Sequence, residues 1–185
     1  MSAPEFSAAV HNVLCPSHLI SLIMSMINIL HYLASCRYYG RMPHTLRESD
    51  LSQEPVFLMA RASSLGSATA NRSLANLGLK VRHYSVLSLV CGEKNPTQRE
   101  LSYHLVLDPS QIVLIVDALE KRGLVHRETD PSDRRSKIIV PTAQGQKLYQ
   151  EAKVAVEASS NCTLSNLSAE ERASLLNMLR KISLD

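Results

Sequence analysis

The chain has 185 residues, 45% of them hydrophobic and 20% charged, with a formal net charge of +3. That is long and apolar enough for one domain with a real core, which excludes a chain held together only by disulfides or metals. The mildly basic balance permits a nucleic-acid partner without requiring one. Aromatic residues make up 4% and Trp is absent, so aliphatic helix packing has to carry most of the burial; six glycines and no long β-rich tract point to a mainly α fold. The four cysteines, Cys15, Cys36, Cys91 and Cys162, lack metal-ligand spacing, and free thiols in a reducing cytoplasm are expected.

Residues 1–53 read as an N-terminal extension. Within it, residues 19–36 carry no charge and have about the length of a bilayer span, interrupted by Asn28 and His31. No basic residues precede this segment as they would in a signal peptide, and Arg37 and Arg41 follow it, so a span would leave the rest of the chain on the cytoplasmic side. Three readings stay open: an upstream extension with Met42 as the start, a helix packed on the domain, or a membrane anchor. Residues 41–55, polar with two prolines, read as a linker.

A long helix is predicted over 54–77, with Leu58, Ala62, Leu65 and Thr69 on one face and Gly66 weakening it. Residues 80–91 form a second helix, expected to bury Val81, Tyr84, Leu87 and Cys91, and Gly92 stops it. A short helix then opens on a capping box, Thr97 with Glu100, and carries Leu101 and Leu105 four apart. After a turn at 106–108, Asp108 suits the N-cap of the next helix and Pro109 its first position. That helix places Ile112, Ile115, Val116 and Leu119 on its buried face, and Ser110, Leu114, Asp117 and Lys121 on the opposite one.

Gly123 ends the helix after two cations, and β-prone runs follow at 124–129 and 137–140, joined by a turn at 130–133 and by Arg134 and Arg135. Between residues 121 and 137 six cations face three carboxylates, a surplus equal to the charge of the whole chain. A helix-turn-helix followed by a basic hairpin is a winged helix, which sets one helix in the major groove and a loop in the minor groove. Downstream, Thr142 caps a helix with Leu148, Ala152, Ala155 and Val156 on one face; Ser168 opens another capping box, and Leu175, Leu179 and Ile182 follow it.

The runs Leu119-Glu120-Lys121-Arg122-Gly123-Leu124-Val125, Asp130-Pro131-Ser132-Asp133-Arg134-Arg135-Ser136 and Thr142-Ala143-Gln144-Gly145 resemble the MarR family of bacterial winged-helix regulators, as do Leu77-Gly78-Leu79 and Tyr84-Ser85-Val86-Leu87 upstream. The resemblance covers roughly residues 54–183. It implies a mainly α fold with a small β-hairpin wing, a winged helix-turn-helix at about 80–142, and dimerisation helices at about 54–77 and 142–183 that interleave between two subunits. It also implies a wing arginine in the minor groove, at Arg134 or Arg135, with Asp133 fixing the wing; a narrow minor groove concentrates negative potential that a guanidinium fits.

Other interface candidates follow from the residues themselves. Ser110 and Gln111 can meet phosphates or base edges, though both also suit capping; Lys121 and its neighbour Arg122 suit phosphates or the helix dipole, and Gln98 and Arg99 suit the DNA backbone. Many relatives carry an arginine or another polar residue near Leu114. The apolar Val113 and Leu114 here put direct base readout by this turn in doubt and leave contact with thymine methyls as the option. His83, Tyr84, Tyr103 and His104 are candidates for a pocket holding a small aromatic or phenolic effector, or for ordinary half-buried structural roles. Relatives that sense peroxides do so through a cysteine early in the first dimer helix, where this chain has none, so neither Cys91 nor Cys162 is placed for that role.

No catalytic motif, metal-ligand spacing or cofactor signature is found in the sequence. These features point to a cytoplasmic homodimer that binds double-stranded palindromic DNA as a ligand-released repressor. The alternative is a protein-interaction module on the same fold, tethered to a membrane through residues 19–36.

Overall fold

The computed structural model describes residues 44–184. The apolar segment 19–36, with its three readings, and Cys15 and Cys36 lie outside the described residues. In place of the predicted linker, a short helical turn (His44–Arg47) and a 3-10 turn (Asp50–Gln53) lead into the first long helix. Ser49 Oγ and Ser52 Oγ both donate to the Leu46 carbonyl, and this local bonding gives polar residues a turn instead of an extended linker.

The long helix α1 (Pro55–Leu74) has Pro at its first position, continues into a 3-10 turn (Ala75–Leu77) and stops at Gly78, whose φ of 62° is left-handed. α2 (Val81–Val90) follows, then α3 (Gln98–Leu105) and α4 (Pro109–Lys121). Strands β1 (Val125–Thr129) and β2 (Lys137–Pro141) pair antiparallel with Arg127 opposite Ile139. α5 (Ala143–Thr163) and α6 (Ala169–Ser183) complete the described chain. The architecture is mainly α with one β-hairpin, as expected. The hairpin has a third partner that periodicity did not reveal. Ile139 N donates to the Pro96 carbonyl at 2.9 Å and Thr97 bridges Ile138, so the residues just before α3 pin the wing to the helix-turn-helix.

The core gathers in α2–β2. Val86, Leu87, Val90, Leu101, Ile112, Val116, Leu119 and Ile139 are fully buried, with Leu74 and Ala152 closing it from α1 and α5. The predicted buried face of α4 is observed in full. On α2 the face is rotated: Val86 and Val90 are buried with Leu87, while Val81, Tyr84 and Cys91 are only half-buried. Tyr84 lies instead against Tyr149 of α5, ring centroids 6.0 Å apart. The stripe predicted on α1 holds only in its second half, because Leu58 is exposed and burial falls on Thr69, Ala70 and Leu74, where α1 runs along α5.

Two local devices orient the unit from α2 to β2, the expected winged-helix reader. Asn71 Oδ1 on α1 accepts from Val81 N at 2.7 Å, capping α2 from a neighbouring helix. At Gly145, a Cβ would lie 1.9 Å from the Leu124 carbonyl oxygen, so only glycine lets α5 start against the end of the α4–β1 turn. There Thr142 Oγ1 accepts from Gly145 N and donates to the Gly123 carbonyl. Cys91 is a free thiol whose pKa burial raises. Among the described residues no helix is long and apolar enough to cross a membrane, and no group of three His, Cys, Asp or Glu is placed to hold a metal ion.

Candidate nucleic-acid interface

The capping box at Thr97 forms as read: Thr97 Oγ1 accepts from Glu100 N at 3.2 Å, and Glu100 accepts from Thr97 N at 2.7 Å. That backbone bond, with the bond from the Thr97 hydroxyl, holds the Glu100 carboxyl below its usual pKa. The turn between α3 and α4 is tight enough to force Val106 into the left-handed region, φ 51°. Ser102 anchors it from both sides, accepting from Leu107 N and donating to the Leu107 carbonyl. Asp108 then caps α4, receiving Ser110 N at 2.8 Å and the Ser110 hydroxyl at 2.5 Å, and these two bonds lower its pKa. Ser110 is thereby committed to the cap.

The wing is built by two Asx turns in series. Asp130 Oδ1 receives both the hydroxyl and the backbone N–H of Ser132, which hold its carboxyl below the ordinary range. Asp133 Oδ1 receives Arg135 N at 3.0 Å, and its carbonyl receives Ser136 N. Asp133 thus accepts two backbone bonds within the wing turn. The side chains of Arg134 and Arg135 are exposed and meet no partner among the described residues.

The charge surplus narrows when each cation is followed to its partner. Arg127 reaches back from β1 to α4, bonding Asp117 at 2.5 Å and pairing closely with Glu120; its Nε also donates to Gln98 at 3.0 Å. Burial opposes its charge, but the Asp117 hydrogen bond and the two carboxylates outweigh that and raise its pKa. Arg122 donates to the Gly78 and Leu77 carbonyls, tying the end of α4 to the α1–α2 turn. Both arginines hold the reader together, and Gln98 works with Arg127. Lys137 donates to Thr129 across the hairpin. Lys121, Arg134, Arg135 and, on α3, Arg99 are exposed.

One pairing had no signal in local sequence, because its partners are 29 residues apart. Arg82 on α2 donates to Gln111 Oε1 on α4 at 3.1 Å. Beside it lies an open cleft of about 510 Å³ lined by Ser67 and Asn71 of α1, residues 80–83, and Gln111, Leu114 and Ile115 of α4. His83 lines this cleft. Its Nδ1 accepts from Lys80 N, and burial, Lys80 and Arg122 together lower its pKa. The four effector candidates do not converge: Tyr84 stacks near Tyr149, while Tyr103 and His104 line a separate surface cleft with Arg99 and Glu100. They lie on two helices, α2 and α3, whose faces separate them.

The MarR family model matches residues 79–137. A MarR-family transcriptional regulator from Rhodococcus sp. RHA1 is 36% identical, with a TM-score of 0.70 over 74% of this chain and 97% of that one. CouR from Rhodococcus jostii RHA1, solved with p-coumaroyl-CoA, is 38% identical with a TM-score of 0.68, covering 74% of this chain and 96% of its own. The repressor CouR solved on a 23-mer DNA duplex aligns with a TM-score of 0.67 at 30% identity, over 72% of this chain and 95% of that one. A Thauera aromatica protein described as a transcriptional regulatory protein for the hcr operon is 29% identical over 99 residues, 54% of this chain; the chain spans 60% of the length of that curated relative.

Proposed function

The chain belongs to the MarR family, and from that premise we propose that it is a DNA-binding transcriptional regulator, not an enzyme, acting in the cytoplasm as a ligand-released repressor. The observation that carries this reading is the wing: two Asx turns hold a tip whose Arg134 and Arg135 are free for phosphate or the minor groove, while the arginines behind it are engaged in the fold. Lys121 and Arg99 are exposed as well, as are Gln111 and Leu114 on α4.

A homodimer fits the terminal helices. α6 buries none of its residues and exposes Leu176, Met178, Leu179 and Ile182, and α1 exposes Val56, Leu58 and Met59, apolar faces that a second copy would cover. Two copies would present two recognition helices about one DNA turn apart, and so read a palindrome. The cleft beside Arg82 is the proposed effector site for a small aromatic or phenolic ligand. Of the four effector candidates His83 alone lines it, leaving Tyr84, Tyr103 and His104 to other roles. A ligand there would touch Gln111 and Leu114 directly, and it would release DNA to the extent that it binds better when the reader is displaced.

The test is fluorescence anisotropy on duplex DNA from upstream of the protein's own gene across a salt series. Arg134→Ala/Arg135→Ala should weaken binding by roughly 2 kcal/mol and flatten the salt slope. Equal affinity and slope for native and variant chains would sink the wing assignment.

A further inference from the structure

The outward face of α4 carries several polar side chains, yet the fold leaves few of them free to read bases. The Ser110 hydroxyl is held by Asp108 and the Asp117 carboxylate by Arg127. Lys121 is a point charge at the end of the helix, suited to phosphate. What remains is Leu114, 69% exposed, and one turn before it Gln111. Residues three apart on a helix are neighbours, so these two side chains meet the same stretch of groove.

Arg82 decides how Gln111 can read. A guanidinium has only donors, so Gln111 must present its carbonyl oxygen to Arg82, which leaves the amide NH₂ as its unengaged group. A free glutamine reads adenine by donating to N7 and accepting from the N6 amino group. Here a full positive charge sits 3.1 Å from that accepting oxygen, beside the place an adenine amino group would need, which disfavours adenine. An NH₂ donor beside an exposed isobutyl group matches a different edge. Thymine alone offers an acceptor, O4, next to an apolar group, its 5-methyl. We propose that Gln111 and Leu114 form a thymine-reading pair, with Arg82 as the positioning residue that fixes the Gln111 amide as a donor. This rests on the DNA-binding reading above and adds to it the base that α4 selects.

The experiment enriches duplexes from a random pool with the full chain at fixed salt, then measures anisotropy on the enriched duplex and its substituted forms. The pair should fix a thymine in each half-site. Replacing that thymine by uracil, which removes only the methyl, should weaken the native chain about fourfold per half-site, and should leave Leu114→Ala unaffected. Replacing it by adenine should cost the native chain about tenfold. Arg82→Ala should bind the adenine duplex nearly as well as the thymine one, and Arg82→Lys, which keeps a cationic donor, should retain the native preference. A general loss of affinity in Arg82→Ala would not produce that change of preference. Enriched sites with no fixed thymine, uracil bound as tightly as thymine, or an unchanged base preference in Arg82→Ala would each overturn the proposal. Failure to enrich any duplex would instead overturn the DNA-binding reading on which it stands.

Discussion

From α2 to β2, aliphatic side chains at core positions are out of solvent, with Val86, Leu87, Val90, Leu101 and Ile112 all at 0% exposure; α6, of similar apolar content, leaves Ile182 at 67%. Both regions have apolar residues at helical spacing, and both open on well-formed capping boxes. The difference lies in what each finds to pack on. The reader closes on itself because α2, α3, α4 and the hairpin converge on one centre, whereas α6 and the start of α1 turn their apolar faces outward. Folding and assembly therefore fall to different parts of one chain, and substitutions should separate them.

The largest effect is expected in the reader. Leu87→Ala or Leu101→Ala removes a fully buried side chain and should cost about 2–5 kcal/mol of unfolding free energy, read as a lowered denaturant midpoint with DNA binding lost alongside. A loss below about 1 kcal/mol would mean that this centre is not the core. The counterpart change, Leu179→Glu/Ile182→Glu, puts charge on a face already exposed in the single chain. It should leave the reader's unfolding midpoint nearly unchanged while weakening self-association by about 2 kcal/mol or more, followed by light scattering across concentration. A dimer of unaltered affinity would remove α6 from the interface.

The same division explains what the sequence made legible. Features carried by residues within one turn of each other could be read in advance: the Thr97 and Ser168 capping boxes, the Asp108 cap with Pro109, the buried stripe of α4 and the turn at 130–133. The contacts that needed distant partners could not. Arg127 and Arg122 counted as surplus charge until the fold placed Asp117, Glu120 and two carbonyls around them. Nothing near Arg82 in sequence marks Gln111 as its partner. The four effector candidates show the same limit: on α2, His83 lines one cleft while Tyr84 lies against Tyr149, and on α3 Tyr103 and His104 share another cleft.

A smaller effect tests the hinge of the reader itself. Val106 is β-branched and exposed, yet holds φ 51° between α3 and α4, a conformation that costs a non-glycine residue roughly 1–2 kcal/mol. Because its side chain packs on little, Val106→Gly should raise stability by up to about 1 kcal/mol, the relief of strain offset in part by glycine's greater freedom when unfolded. A drop in the unfolding midpoint would show that the isopropyl group makes contacts beyond those of the single chain.

The smallest effect concerns pH at the cleft where the reader meets α1. His83 has its pKa lowered below 6.5 by burial, Lys80 and Arg122, so the folded chain favours its neutral ring. The unfolded chain takes up a proton near pH 6.5 and the folded chain only at lower pH, so in that interval the unfolded state binds more protons. Stability from this group is thus full above pH 6.5 and falls as pH drops through the folded value. Protonation would also deprive Lys80 N of the Nδ1 acceptor it uses. The lowered carboxyls of Glu100, Asp108 and Asp130 act in the same direction, but below their ordinary values of 4.5 and 3.8, so the two windows separate. His83→Gln should flatten the decline in thermal stability between pH 7 and about 5 while leaving the steeper acid limb in place. An identical slope in both chains would mean that His83 is as free to take up a proton in the folded reader as in the unfolded chain.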